Sequence, residues 1–411
     1  MTETFVIVGA GLAGGGAAAT LREEGFDGRV VLIGAEAQPP YERPPLSKEY
    51  LRGESSFEQA LFQPLDFYGE NDIETRFGCR VTHIDATEKV IELDNGESVP
   101  YEALLIATGA RNRHIPIPGF DLAGIYGLRT VADADHIRSD ISPGRKAVVV
   151  GMGFIGSEVA ASLRHSDVEV AVVDRNTVPL RRALGEEVGR VVEDIHRDHG
   201  TDLIFEDTVA AFEGAERVER IITQRGQSIE CDFAVVGLGA EPVTELLTGT
   251  GVEIDNGVLV DEQFRTSVEG IFAAGDVANH YHPLFKRHIR IEHWQNALKQ
   301  GPAAARNMLG ENEPYDEIPW FWSDQYEHNL QYAGFHTEWD ELVVRGSLEY
   351  RNFVAYYQKD GRILAAAAIN RSRDLRRSIP LIKHQEGIAA AKLRDPDIDL
   401  RKLAGMQEIH R

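Results

Sequence analysis

The sequence predicts an α/β protein: two Rossmann-like dinucleotide-binding units in series, then a smaller α+β domain. Two observations carry the first part. One strand–glycine-turn–helix pattern occurs twice, and each copy closes on a further apolar strand that ends in glycine. Strands this uniformly apolar belong inside parallel sheets covered on both faces. The third observation is a change of pattern beyond Pro319, where alternating strands replace buried ones.

The first copy opens with Phe5-Val6-Ile7-Val8 and the turn Gly9-Ala10-Gly11-Leu12-Ala13-Gly14. An Ala-rich helix to about Glu24 follows, then a strand over 30–33. Residues 80–93 alternate and break at Asp94-Asn95-Gly96, a hairpin signal. The copy closes with Ala103-Leu104-Leu105-Ile106-Ala107-Thr108-Gly109-Ala110. The second copy opens with a strand over 147–150 and Gly151-Met152-Gly153-Phe154-Ile155-Gly156. A helix, a strand over 168–173 ending at Asp174, and alternating stretches over 203–212 and 217–229 come next. Phe233-Ala234-Val235-Val236-Gly237-Leu238-Gly239-Ala240 closes it. Each unit thus carries a small inserted antiparallel sheet. Residues 270–276 form another strand ending in Gly275-Asp276, and 290–308 reads as a helix entered near Glu292. In the last domain strands are expected over 342–344, 353–357 and 363–369, with a helix over 374–385.

At 411 residues the chain is too long for one simple core. No apolar run reaches the roughly 20 residues of a membrane helix. No signal peptide precedes the first strand, so a chain that starts at Met1 in the cytosol is expected. The 43 basic and 66 acidic residues give a net charge of −23. That balance disfavours nucleic acid and anionic membranes, which need clustered positive charge. Cys79 and Cys231 are far apart, so no redox pair or metal site of neighbouring cysteines exists, and no metal is expected.

Each glycine turn suits a dinucleotide. Glycine permits the tight turn, lets the backbone approach a pyrophosphate, and allows the helix to pack closely on its strand. The anion then rests on unpaired N–H groups at the helix N-terminus. One such turn can arise without a nucleotide, but two in strand–turn–helix context argue for two dinucleotides. An exchangeable nicotinamide dinucleotide and a bound flavin dinucleotide are the economical pair. Asp174, at a strand end, is placed to accept from a ribose 2′-hydroxyl and to repel a 2′-phosphate, which favours NADH over NADPH. Arg175, Arg181 and Arg182 nearby weaken that discrimination. In the first unit Glu36 is the candidate, although it follows Gly34-Ala35 rather than the strand itself. Gly275-Asp276 suits a ribityl hydroxyl and a flavin phosphate.

Five segments then occur in order: Tyr41-Glu42-Arg43-Pro44-Pro45-Leu46-Ser47-Lys48, residues 106–110, residues 272–276, Glu292-His293-Trp294-Gln295-Asn296-Ala297, and Pro319-Trp320-Phe321-Trp322-Ser323-Asp324-Gln325. Together they resemble the putidaredoxin reductase-like ferredoxin reductases, which serve bacterial cytochrome P450 and ring-hydroxylating dioxygenase systems. The resemblance implies a glutathione-reductase-like fold. It places FAD on residues 1–112 and 246–319, NADH on 113–245, and an interface domain at 320–411. For FAD it implies Gly9, Gly11, Leu12, Ala13, Gly14, Glu36, Arg43, Lys48, Val81, Ala107, Thr108, Gly109, Gly275, Asp276, Trp294 and Trp322. For NADH it implies Gly151, Gly153, Phe154, Ile155, Gly156, Glu158, Asp174, Arg175, Arg182, Gly237 and Gly239. Pro45 is then expected beside the flavin ring, and Lys48 is expected to pair with Glu158, which points toward the nicotinamide. The helix after Glu292 aims its positive end at the flavin, and His293 is a structural or flavin-edge residue rather than a base.

The implied partner is a [2Fe–2S] ferredoxin, typically acidic, so an acidic chain needs a local positive field to dock it. Lys286, Arg287 and Arg290 form one candidate cluster; Arg373 and Arg377, with their neighbours, form another. Trp320 and Trp322 alternate, so they share one face of an extended strand, with at least one near the flavin face that the partner approaches. A monomer or weak homodimer is expected. A disulfide reductase of the same fold needs cysteine within residues 34–48, and there is none. An NADH oxidase, or a redox scaffold similar to apoptosis-inducing factor, stands as the alternative reading.

Overall fold

The computed structural model describes residues 3–403; residues 1–2 and 404–411, the end of the expected last domain, lie outside the described residues. The chain divides into two compact units. The first comprises Met1–Arg43, Phe57–Arg111 and Ala240–Pro319, and the second Pro44–Ser56, Asn112–Gly239 and Trp320–Arg411.

The first unit is built on a five-stranded parallel sheet in the order Ile271–Ala273, Ala103–Ile106, Thr4–Val8, Arg29–Gly34, Ile73–Phe77. Its central strands are buried along their whole length, which is why they read as unbroken apolar runs. The helices Leu12–Glu23 and Trp294–Met308 pack unusually close: a Cβ on Gly301 would lie 2.1 Å from the Ala13 carbonyl oxygen. Only glycine fits there. The inserted antiparallel sheet is Val81–Asp85, Val90–Leu93 and Ser98–Pro100.

The second unit repeats the plan. Its parallel sheet runs Asp202–Phe205, Glu169–Asp174, Lys146–Val150, Phe233–Val236, Ile125–Tyr126. Val209–Glu213, Arg220–Thr223 and Ser228–Glu230 form the insert. The same unit holds a five-stranded antiparallel sheet ordered Trp320–Gln325, His328–Gly334, Arg362–Ile369, Asn352–Lys359, Glu341–Ser347, on which the helix Ser372–His384 packs. Tyr356 and Tyr357 are fully buried in it, and the Tyr357 hydroxyl donates to the Leu184 carbonyl oxygen at 2.7 Å.

Two expectations change. The helix expected from residue 290 begins at Trp294 with His293 as N-cap, and Arg287–Arg290 is instead a strand paired with Ala278–His282. The alternation of buried Ile289 and Ile291 with polar His288 and Arg290 is a two-residue period, which suits a strand. The start of the 203–212 stretch belongs to the edge of the parallel sheet, not to the insert, because Ala171 to Asp174 pair in parallel with Asp202 to Phe205. No helix among the described residues is long and apolar enough to cross a membrane.

Candidate functional site

In the first unit, Gly9 takes φ +117°, and a Cβ there would sit 2.0 Å from the Ala107 carbonyl oxygen. A Cβ on Gly14 would sit 1.9 Å from the Gly9 carbonyl oxygen. These two glycines are required by the protein's own backbone. Gly11 is different: no atom lies within 4 Å of where its Cβ would be, and its backbone is extended (φ −85°). The space in front of it, at the N-terminus of the Leu12–Glu23 helix, has the character of an anion seat.

Around this turn, Ala107 and Thr108 close over Gly9, Gly109 follows them, and the Thr108 hydroxyl donates to the Val243 carbonyl oxygen at 2.7 Å. Gly275 (φ +80°) and the buried Asp276 form a short turn whose Gly275 N–H donates to Gln300 at 2.9 Å. Gln300, buried on the Trp294–Met308 helix, escaped the sequence reading. Trp294 opens that helix. Val81 begins the inserted sheet, just after Cys79, whose N–H donates to Gly34 O at 3.0 Å. Glu36 is not a loose carboxylate: one oxygen accepts from the Tyr41 hydroxyl at 2.6 Å and the other from Arg43 at 2.9 Å.

The second unit has the same turn. A Cβ on Gly151 would lie 2.6 Å from the Gly237 carbonyl oxygen, and one on Gly156 2.0 Å from the Gly151 carbonyl oxygen. Gly153 and Gly239, like Gly11, have open space. Phe154 packs edge-on against Phe321 at 4.4 Å, while Ile155 is 45% exposed. Asp174 is buried, and Oδ2 accepts from the Met152 N–H at 2.6 Å, inside the turn itself. Its Oδ1 accepts from the Asn176 N–H and side-chain amide. Arg175 and Arg182 are exposed.

The two candidate ribose acids are therefore not equivalent. Gly9 N–H donates to Ile33 O and Gly151 N–H donates to Val173 O, each at 2.8 Å, which superimposes the strands. Asp174 then stands where Gly34 stands, and Asn176 stands at the place of Glu36.

Lys48 and Glu158 meet within the second unit. Pro44–Ser47 forms a single 3₁₀ turn with Pro45 in it, and the Pro45 carbonyl oxygen accepts from the N–H groups of Lys48 and Tyr50 at 3.0 Å each. Lys48 Nζ reaches Glu158 Oε2 at 2.6 Å, with side chains only 9% and 5% exposed. The same oxygen accepts from the Ser47 hydroxyl at 2.5 Å, and Oε1 accepts from the Ser323 hydroxyl at 2.7 Å. This buried carboxylate thus gathers three donors, one of them a cation.

Trp320 and Trp322 share one face of their strand, with stacked rings 5.5 Å apart, and Phe321, Ser323 and Gln325 face the buried side. Lys286, Arg287 and Arg373 are exposed. Arg377 leans toward Asp374 at 3.8 Å. Arg290, expected to meet the partner, is instead engaged within its own unit. Its side chain is 10% exposed and is held by Glu292 at 2.5 Å, Asn256 and the Asp276 carbonyl oxygen.

Comparison with known proteins completes the picture. The pattern described as "Pyridine nucleotide-disulphide oxidoreductase" matches residues 3–301, and that described as "Reductase C-terminal" matches residues 320–404. The chain belongs to the pyridine nucleotide-disulphide oxidoreductase family. Within that family it is similar to the ferredoxin–NAD(+) reductase component of the anthranilate 1,2-dioxygenase system of Burkholderia cepacia, at 39% identity over 97% of this chain and 98% of that one. Rhodocoxin reductase of Rhodococcus erythropolis is 36% identical over 97% of this chain and 93% of its own. The reductase in a covalent putidaredoxin reductase–putidaredoxin complex superimposes with a TM-score of 0.95 at 33% identity, covering 98% of each chain. The chain is thus a putidaredoxin reductase-like member of the family. Membership implies flavin and pyridine nucleotide chemistry. Cys79 and Cys231 are both buried, and burial pushes the Cys231 thiol up to about 12.

Several histidines, His293 and His336 as well as His196 and His280, set the acid tolerance of this fold. Burial holds His196 down to about 4 and His280 to about 3, from the ordinary 6.5. Both are depressed, so their neutral forms support the fold fully above pH 6.5, and that support is lost as pH falls toward 4 and 3. At pH 5 each costs on the order of 2 kcal/mol. Unfolding midpoints at pH 7.5 and 5.0 should fall accordingly, and His280→Phe should remove part of the drop.

Proposed function

We propose that the protein is an FAD-containing, NADH-dependent reductase of a [2Fe–2S] ferredoxin that feeds a cytochrome P450 or Rieske oxygenase. The observation that carries this reading is the pair of glycine turns, each with one position, Gly11 or Gly153, that the protein leaves open. Both fit a pyrophosphate: a helix N-terminus, extended backbone and no side chain in the way. FAD is assigned to residues 1–112 and 246–319, NADH to 113–245, and the partner to 320–411 together with Lys286 and Arg287. Held there, a flavin would supply the chemistry that converts a hydride from NADH into single electrons for an iron–sulfur partner.

The chain's own residues bind, orient and neutralise. Arg43, tied to Glu36 and Tyr41, and Asp276 fix polar groups of the first dinucleotide. The Lys48–Glu158 pair supplies a cation whose charge is balanced, and no residue need move a proton. Asp174 presents negative charge where a 2′-phosphate would fall, which favours NADH.

The test is an absorption spectrum of the purified protein, titrated with NADH and then with a [2Fe–2S] ferredoxin. Flavin absorbance that NADH bleaches and ferredoxin restores supports the reading. Protein that takes up no FAD ends it. Against a net charge of −23, docking an acidic partner depends on local cations. Reversing Lys286 and Arg287 together to Glu should raise the ferredoxin KM about tenfold at low salt. NADH–ferricyanide turnover should not change.

A further inference from the structure

Behind Glu158 a hydrogen-bonded chain continues into the second unit. Ser323 Oγ, which donates to Glu158, accepts from Gln325 Nε2 at 3.1 Å. Gln325 Oε1 lies 3.0 Å from His196 Nε2, and His196 Nδ1 lies 3.4 Å from the Tyr326 hydroxyl. Tyr326 also meets the Thr201 hydroxyl at 3.2 Å. Ser323, Gln325 and His196 are all buried to 3% exposure or less.

The direction of the chain is not free. Glu158 Oε2 accepts from Lys48 and Ser47, and its Oε1 accepts the Ser323 hydroxyl proton at 2.7 Å. The Ser323 oxygen must then accept, which turns the Gln325 amide nitrogen toward it. The Gln325 oxygen in turn requires a proton on His196 Nε2, leaving Nδ1 to accept from Tyr326. We propose that Ser323, Gln325 and His196 are positioning residues that act through Glu158: a one-way chain of donors that fixes its carboxylate, and through it Lys48, in the geometry needed for hydride delivery. The proposal rests on the reading of Lys48 and Glu158 as a pair beside the reacting rings. Neutrality of His196, which its burial enforces, keeps the chain intact through the physiological range.

Two measurements test it. In ¹⁵N-histidine spectra of the holoenzyme, with His196 assigned by its loss in His196→Gln, the ring should be the neutral Nε2–H tautomer. An Nδ1–H tautomer reverses the chain and overturns the proposal. In stopped-flow with NADH, Ser323→Ala removes one hydroxyl and leaves the fold intact, yet should slow flavin reduction about tenfold at saturating NADH. The NADH dissociation constant should stay within about twofold of the original protein's. His196→Leu should slow the same step, and His196→Gln, which keeps a donor, should restore most of the rate. Original rates in both Ser323→Ala and His196→Leu overturn the proposal. Failure of the unmodified protein to be bleached by NADH instead removes the functional reading beneath it.

Discussion

Gly11→Ala should give a normally folded protein that is purified without flavin colour. Alanine is sterically acceptable to the protein at this position: its backbone is extended, and beyond its two chain neighbours no described atom lies within 4 Å of the new methyl. The methyl would instead enter the space in front of the Leu12–Glu23 helix, where a pyrophosphate needs the bare backbone. A methyl at such a contact holds the pyrophosphate off the N–H groups that would bind it. Gly153→Ala, the same change in the second turn, should leave the flavin in place and abolish bleaching by NADH. Gly14→Ala makes the contrast, because its methyl would meet the Gly9 carbonyl oxygen at 1.9 Å and disturb the fold itself. Circular dichroism and FAD content separate the three. A Gly11→Ala protein that keeps FAD at full affinity would falsify the assignment of the first turn.

Glu158→Leu should destabilise the chain by about 3–5 kcal/mol, while Lys48→Met combined with Glu158→Leu should recover most of that loss. In the single variant the Lys48 ammonium stays buried with only the Pro44 carbonyl oxygen at 3.2 Å and the Ser47 hydroxyl at 3.4 Å. An uncompensated charge at this depth is expensive. In the double variant both charges go and two apolar side chains of similar length fill the space, so the remaining cost is the Ser47 and Ser323 hydroxyls that lose their acceptor. Midpoints of urea unfolding read the difference. If the single and double variants unfold alike, the pair is too hydrated to matter. The double variant should nevertheless reduce its flavin slowly, which separates the pair's part in stability from its part in function.

Much of this was legible in the residues. The two glycine turns announced themselves because backbone closeness leaves no alternative to glycine at Gly9, Gly14 and Gly156, and the apolar strands around them have a single use. Glu158 was legible from its place two residues beyond Gly156. What feeds it was not, since Ser323 lies on a strand 165 positions away and a serine carries no signature of its partner. The mistake at Arg290 has a local cause. Residues 287–308 mix a short two-residue period with a helix, and the short strand was absorbed into its longer neighbour. The offset between Asp174 and Glu36 was hidden as well, because both follow an apolar strand and only the turn's hydrogen bonds fix their register.

That offset bears on any attempt to re-engineer coenzyme choice. Asp174 braces the loop from within, its Oδ2 carrying the Met152 N–H, so deleting it to admit a phosphorylated ribose would loosen the very bend on which the coenzyme rests. A tolerant redesign would leave this brace alone and recruit the outward-facing guanidinium groups of Arg175 and Arg182. If Asp174 discriminates as proposed, one carboxylate serves both as selector and as supporting strut.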